Sequence, residues 1–122
     1  MDAYDFDDVL VIMKMVLESV PRAHPKMKRP LRDVTRVLRD YISQRTNGNY
    51  LRAYSRVQRA IRKIDEHDGN EPALLAVNLM LDQVIRALDA DKDGDHKNFR
   101  DAIEAIFQGS HSLGLVTHSK QK

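Results

Sequence analysis

Arginine and lysine side chains recur at helical spacing in the middle of this chain. No Asp or Glu occurs between Asp40 and Asp65, so no acid three or four residues away neutralises the first turns of a helix here. Four of these residues are separated by steps of four, three and four: Arg52, Arg56, Arg59 and Lys63. Such steps stack side chains along one side of a helix. Arg62 lies beside this row.

A second and less regular basic row precedes the first one, and it consists of Arg32, Arg36 and Arg39. Asp33 and Asp40 lie within helical reach of Arg36 and partly neutralise it. The residues 47–49, Asn-Gly-Asn, supply turn chemistry between the two rows. If this turn forms a helical hairpin, the two rows merge into one cationic surface.

Arginine outnumbers lysine ten to three in residues 21–63. Its planar guanidinium binds phosphate or carboxylate oxygens bidentately, which an ammonium group cannot do. Basic rows on helices bind nucleic acid mainly through the backbone, with little sequence preference. The pattern predicts binding to a DNA or RNA backbone, or to an acidic protein surface, through Arg32, Arg36, Arg39, Arg52, Arg56, Arg59, Arg62 and Lys63.

The net charge of +2 hides a strong segregation of charge along the chain. Residues 1–20 carry −4, residues 21–63 carry +11, residues 64–95 carry −7 and residues 96–122 carry +2. Such a basic block is typical of proteins with a polyanionic partner. The alternatives are that the acidic segment packs beside the basic one and neutralises it, or that the basic face is only solvated.

Other chemistry has weaker support in the sequence. The chain has no cysteine, which excludes thiolate ligands, thiol nucleophiles and disulfides. Alternate aspartates at 89–95 imitate a calcium-binding loop, but Arg100 stands where the bidentate glutamate is needed. The five histidines lack metal-binding spacing, and no phosphate-binding glycine loop or serine elbow occurs. We therefore expect no metal, no cofactor, no small-molecule substrate and no enzymatic activity.

The elements that must position these side chains are all helices. Apolar residues recur at three- and four-residue spacing, with no strand-like alternation. The fold class is therefore all-α, a compact bundle of four to five helices with mostly antiparallel neighbours. We expect a single domain over residues 1–108 and a flexible tail over 109–122. The helices are predicted at about 4–20, from Pro30 to the turn at 47–49, and at about 49–66, 72–88 and 95–108, with a connector at 21–30 and a loop at 89–94.

Surplus apolar residues support a second hypothesis, a protein–protein interaction module such as an adaptor, inhibitor or assembly subunit. Val11, Ile12 and Met15 form an extra stripe on the first helix, which is either central in the bundle or a face for a partner. Leu75 and Leu79 form a second stripe on the fourth helix, which we predict to be the most buried. Such faces also fit a homo-oligomer.

Length, hydropathy and the N-terminal charges bear on the number of domains and on the cellular location of the protein. A chain of 122 residues suits one domain with a core, and its mean hydropathy is −0.53. The first eight residues are acidic where a signal peptide would be basic, and the apolar run before Lys14 is far too short to span a membrane. We therefore expect a cytoplasmic protein without a membrane partner.

Overall fold

The structure, a computed structural model, describes residues 5–114 as a bundle of five helices. Helices account for 89% of these residues, and the described part contains no strand, which confirms the predicted all-α class. The connections are short, so successive helices run mostly antiparallel. The helices are α1 (Phe6–Ala23), α2 (Lys28–Ser43), α3 (Asn47–Asp68), α4 (Pro72–Asp93) and α5 (His96–Ser112), with a short 3-10 helix at Pro25–Met27.

The most extensive helix contacts join helices that follow one another along the chain, and α1 closes the bundle against α4 and α5. The core contains fully buried aliphatic side chains from all five helices. At one end of the core, the Phe6 ring meets the rings of Tyr41 and Phe99 edge-to-face, at centroid distances of 5.7 and 5.3 Å. The bundle therefore has a single continuous core, to which α2 and α3 also contribute buried side chains.

The link between α1 and α2 is shorter than the sequence predicts. The expected connector over residues 21–30 is reduced to His24 and the 3-10 helix. Helix α1 continues past Pro21 because this proline lies in the last turn, where only one backbone hydrogen bond is lost. Helix α2 already includes Pro30 in its first turn, where a backbone N–H has no helical partner.

Helix α3 begins earlier than predicted, because residues 47–49 form its first turn instead of a loop. The Thr46 hydroxyl caps the helix by accepting the backbone N–H of Asn49 at 3.1 Å. The Asn49 side-chain amide donates to the carbonyls of Gln44 at 2.9 Å and Asp40 at 3.3 Å. These bonds tie the end of α2 to the start of α3, so the hairpin is tight.

The loop predicted at residues 89–94 is wrong, because α4 continues to Asp93. Gly94 ends the helix in the left-handed conformation, with φ +72°, which glycine adopts without strain. Asp95 then caps α5 as predicted, since its carboxylate accepts the Asn98 backbone N–H at 3.1 Å. The aspartates near residue 90 therefore project from a helix.

Helix α5 extends to Ser112, beyond the predicted start of the tail. Gly109 lies against Met80 so closely that a Cβ atom would occupy the place of the Met80 side chain. Ser110 is fully buried. Residues 115–122 of the predicted tail lie outside the described residues.

Only one of the two apolar stripes of α4 is buried. Leu74 and Leu81 are fully buried, whereas Leu75 and Leu79 are 47% and 62% exposed. The second stripe faces away from the core, although α4 contributes eight buried residues, more than any other described helix. No helix between residues 5 and 114 is both long and apolar enough to cross a membrane.

Candidate nucleic-acid interface

The two basic rows meet where α2 and α3 pack side by side. Asp33 of α2 lies between them: its Oδ1 atom is 3.2 Å from Nη2 of Arg36, and its Oδ2 atom is 3.7 Å from Nη1 of Arg56. One carboxylate therefore bridges a cation from each row. The connection at residues 44–46, just before the turn predicted at 47–49, brings the rows together.

All eight predicted cations reach the surface, and we call them the basic face: Arg32, Arg36, Arg39, Arg52, Arg56, Arg59, Arg62 and Lys63. The Arg36 and Arg56 side chains are 59% and 40% exposed despite sharing Asp33. Arg52 donates to the side-chain oxygen of Asn49 at 3.0 Å. Six cations of the basic face form no ion pair within 4.0 Å with another residue in the range 5–114: Arg32, Arg39, Arg52, Arg59, Arg62 and Lys63.

Beside the basic face, α3 and the start of α2 enclose an open cleft of about 770 Å³, which we call the basic cleft. Arg59 and Lys63 of the basic face form one side of it. Lys26 and Arg29 line the cleft too, and sequence reasoning did not assign them to the site because residues 21–30 looked like an extended connector. The lining residues are Lys26, Met27, Arg29, Pro30, Asp33, Arg59, Lys63, Glu66 and His67.

The acidic segment 64–95 does not neutralise the basic face within the described structure. Asp65 accepts the Asn78 side-chain amide at 2.7 Å, on the side of α3 that faces α4. Asp89 accepts the hydroxyl of Tyr50. Asp91 accepts the hydroxyl of Tyr41 at 2.6 Å. These three carboxylates bind groups at the α3–α4 side and at the hairpin, whereas Glu66 lines the basic cleft with Arg59 and Lys63 but forms no ion pair with them.

The tyrosines of the hairpin are held as neutral phenols. Burial, and then the hydrogen bond to Asp91, raise the pKa of Tyr41 far above its usual range. The hydrogen bond to Asp89, followed by burial, raises the pKa of Tyr50 to about 12. The hydroxyl of each ring is engaged by the end of α4, so these rings fix the hairpin and do not form a stacking platform.

Cations also pack on these two rings. Arg45 lies 5.5 Å from the centroid of the Tyr41 ring and donates through Nε to Asp91 at 2.9 Å. The Lys92 ammonium lies 4.6 Å from the centroid of the Tyr50 ring. The hairpin that carries the two rows is therefore anchored to α4 by hydrogen bonds, an ion pair and ring contacts.

The predicted partner interface on α1 is divided by the fold. Val11 is 49% exposed and Met15 is half-buried, but Ile12 is 1% exposed and belongs to the core. Ile12 therefore does not lie on a surface that a partner reaches. Sequence periodicity missed this division because three apolar residues within five positions fit either arrangement of the helix.

Metal binding has no geometric support in residues 5–114, where no three His, Asp or Glu side chains converge on a position that could hold an ion. Comparison with protein-family models, curated proteins and solved structures finds no match to this chain. The function is therefore inferred from the charge and geometry of the site.

Proposed function

We propose that the protein binds the sugar–phosphate backbone of DNA or RNA through the basic face of α2 and α3, without enzymatic activity. One observation carries this proposal: six of the eight cations have no carboxylate partner among residues 5–114, although the chain contains 18 acidic residues. Cations that are left unpaired on adjacent helices are the arrangement that phosphate binding requires.

The dimensions of the basic face suit a nucleic-acid strand. From Arg52 to Lys63 the row extends about 16 Å along α3, since a helix rises 1.5 Å per residue. A strand of B-form DNA places about five phosphates over that length of axis, given one per 3.4 Å. Arg36 and Arg39 on α2 widen the surface beside this row. The cations contact phosphates, which carry no sequence information, so binding should depend weakly on sequence.

A charge-neutralising variant tests the proposal. Replacing Arg52, Arg56 and Arg59 by glutamine removes three phosphate contacts while keeping good helix formers on exposed positions. We expect affinity for DNA or RNA to fall about a hundredfold, and the slope of log affinity against log salt to become shallower by about three. Fluorescence anisotropy with labelled oligonucleotides measures both quantities.

The matched control removes the same net charge elsewhere. Lys14, Arg86 and Arg100 are exposed on α1, α4 and α5, and their replacement by glutamine leaves the basic face intact. This variant should bind within about threefold of the wild type. Equal losses in the two triple variants, with both still helical by circular dichroism, would reduce the basic face to a solvated surface.

A second candidate function is protein–protein interaction through the exposed apolar side chains. Leu75 and Leu79, one turn apart on α4, are 47% and 62% exposed, and Val11 on α1 is 49% exposed. Exposed apolar patches mark contact sites, including those of homo-oligomers. Analytical ultracentrifugation of the wild type and of a Leu75→Ser, Leu79→Ser variant tests this reading. A wild type that stays monomeric at high concentration rules out self-association.

A further inference from the structure

We infer that the basic cleft holds one unpaired nucleotide, so that the protein prefers single-stranded nucleic acid to duplex. This inference rests on the proposed function and makes it more specific. It uses residues outside the basic face, above all Lys26, Arg29 and Glu66. Three features of the cleft support it: a cationic rim, an apolar wall of suitable size and a carboxylate that is left without an ion pair.

The rim of the basic cleft carries cations from two separate elements. Lys26 and Arg29 come from the 3-10 helix and the first turn of α2, whereas Arg59 and Lys63 come from α3. None of the four forms an ion pair within residues 5–114. A phosphate at the rim would therefore meet positive charge from both elements, because the two carboxylates of the cleft, Asp33 and Glu66, form no ion pair with any of these four cations.

The interior of the cleft suits a planar base. Its volume of about 770 Å³ lies in the range of clefts that hold small organic ligands. Met27, which is 2% exposed, and the half-buried Pro30 supply an apolar wall. The His67 ring, which also lines the cleft, packs edge-on against the His24 ring at a centroid distance of 5.9 Å. The cleft thus offers apolar and ring surfaces to a base beneath the charged rim.

The two acidic groups of the cleft differ in what they already bind. Asp33 faces Arg36 and Arg56 with its two oxygens. Glu66 forms no ion pair with another described residue, so its carboxylate is available to accept a hydrogen bond. The exocyclic amine of cytosine or adenine is such a donor, whereas thymine lacks one. Glu66 therefore favours cytosine over thymine in the cleft.

Only an unpaired base reaches this position. In a duplex the bases are stacked and paired inside a convex cylinder, so a concave cleft at the protein surface contacts phosphates alone. In a single strand the bases swing out and pack against protein side chains while cations follow the backbone. The concave shape between α2 and α3 therefore selects the single-stranded form.

Binding of oligodeoxycytidine, oligodeoxythymidine and a duplex of the same length tests the inference, with Arg29→Gln as the cleft variant. We expect the wild type to bind oligodeoxycytidine about tenfold more tightly than the duplex, because a packed base adds to the phosphate contacts. Arg29→Gln should weaken single-strand binding about tenfold and duplex binding less than about twofold. The matched control is Lys28→Gln, which changes an exposed neighbour outside the cleft and should lower both affinities equally.

The methionine methyl groups give a direct readout in NMR spectra. All three of Met13, Met27 and Met80 are buried in the core, but only Met27 also lines the cleft. A base in the cleft should shift the Met27 methyl resonance through its ring current, and the other two methyl groups should not move. The duplex should shift none of the three.

The outcomes separate this inference from the proposed function. Equal affinity for single strand and duplex, or an unmoved Met27 methyl group in the saturated complex, would overturn the cleft inference. The proposed function would still stand in that case, provided that the triple glutamine variant of Arg52, Arg56 and Arg59 binds both forms more weakly. Absence of binding to every oligonucleotide at low salt would overturn both.

Discussion

The two charged regions of the bundle use their side chains in opposite ways. The acidic edge, where α4 ends and α5 begins, consists of Asp89, Asp91, Asp93, Asp95 and Asp101. Four of these five carboxylates have a partner, namely a tyrosine hydroxyl for Asp89, a tyrosine and an arginine for Asp91, the start of α5 for Asp95 and a lysine for Asp101, whereas Asp93 forms no hydrogen bond or ion pair within residues 5–114. Six cations of the basic face, in contrast, have no ion-pair partner among residues 5–114.

This difference shows that local charge density alone does not define a binding site. A second cleft of about 410 Å³ lies between α4 and α5 and is lined by several aspartates. It has the charge expected of a cation site, but Asp89 holds the Tyr50 hydroxyl and Asp95 caps α5, while Asp101 forms an exposed pair with Lys97. Changes in the acidic edge should therefore reduce stability and spare binding, whereas changes in the basic face should do the reverse.

The largest effect on stability is expected from Asp91→Ala. This change removes the hydrogen-bond acceptor of the Tyr41 hydroxyl and the ion pair with Arg45. Tyr41 is only 2% exposed. We expect the free energy of unfolding to fall by about 2 kcal/mol, since a buried hydrogen-bonding group loses its partner. Urea denaturation followed by circular dichroism measures this loss, and the affinity for nucleic acid should stay within about twofold.

Arg59→Gln is the reciprocal variant on the basic face. It should change the free energy of unfolding by less than about 0.5 kcal/mol, because Arg59 is exposed and has no ion pair in the described structure. Its nucleic-acid affinity should fall, and the salt slope should become shallower by about one. A stability loss in Arg59→Gln as large as that in Asp91→Ala would break the contrast between the regions.

An intermediate effect is expected at alkaline pH from Tyr50, whose hydroxyl joins the hairpin to Asp89. The pKa of Tyr50 is raised to about 12 in the folded protein, against an ordinary value of 10.0. Its contribution to stability is therefore fully present below pH 10 and is lost as the pH rises from 10 towards 12. Tyr50→Phe should flatten this part of the stability curve and cost about 1 kcal/mol at neutral pH.

The control for this prediction is Tyr54→Phe. The Tyr54 hydroxyl makes no hydrogen bond with a residue in the range 5–114, so its loss should change the free energy of unfolding at neutral pH by less than about 0.5 kcal/mol. If Tyr50→Phe and Tyr54→Phe were equally stable at neutral pH, the hydrogen bond to Asp89 would not anchor the hairpin.

The smallest effect is expected from Asp33→Asn, which tests the one carboxylate that joins the two basic rows. Losing it releases Arg36 and Arg56, so nucleic-acid affinity should rise about threefold in anisotropy titrations. Stability should change by less than about 1 kcal/mol, because both ion pairs are partly exposed. Asp40→Asn removes the same charge from α2 without breaking an ion pair and should raise affinity less. A drop in affinity for Asp33→Asn would contradict the account.

Much of the fold follows from local sequence signals. The spacing of apolar residues predicts a bundle of four to five helices, and residues such as Leu31, Leu38 and Ile103 lie in the core as their periodicity indicates. Asp95 was predicted as the cap of α5, and the structure confirms it. The two basic rows were also predicted from spacing alone, because helical position and the lack of nearby acids are both local properties.

The remaining features depend on contacts between distant residues. The aspartates near residue 90 looked like a loop, but the hydroxyls of Tyr41 and Tyr50 hold two of them on a helix. The sequence alone does not show that Val11 is exposed and Ile12 is buried, because their exposure depends on how α1 packs against its neighbours. The basic cleft depends on the 3-10 helix after His24. The sequence did not predict this helix, because Pro25 and Pro30 indicate an extended connector.

The salt dependence of nucleic-acid binding tests the central claim most directly. If the basic face binds phosphates, the logarithm of affinity should fall linearly with the logarithm of salt concentration, with a slope of about −4 to −6 for five or six phosphates. An anisotropy titration of the wild type over a series of salt concentrations gives this slope. A slope near zero, or no binding even at low salt, would contradict the account.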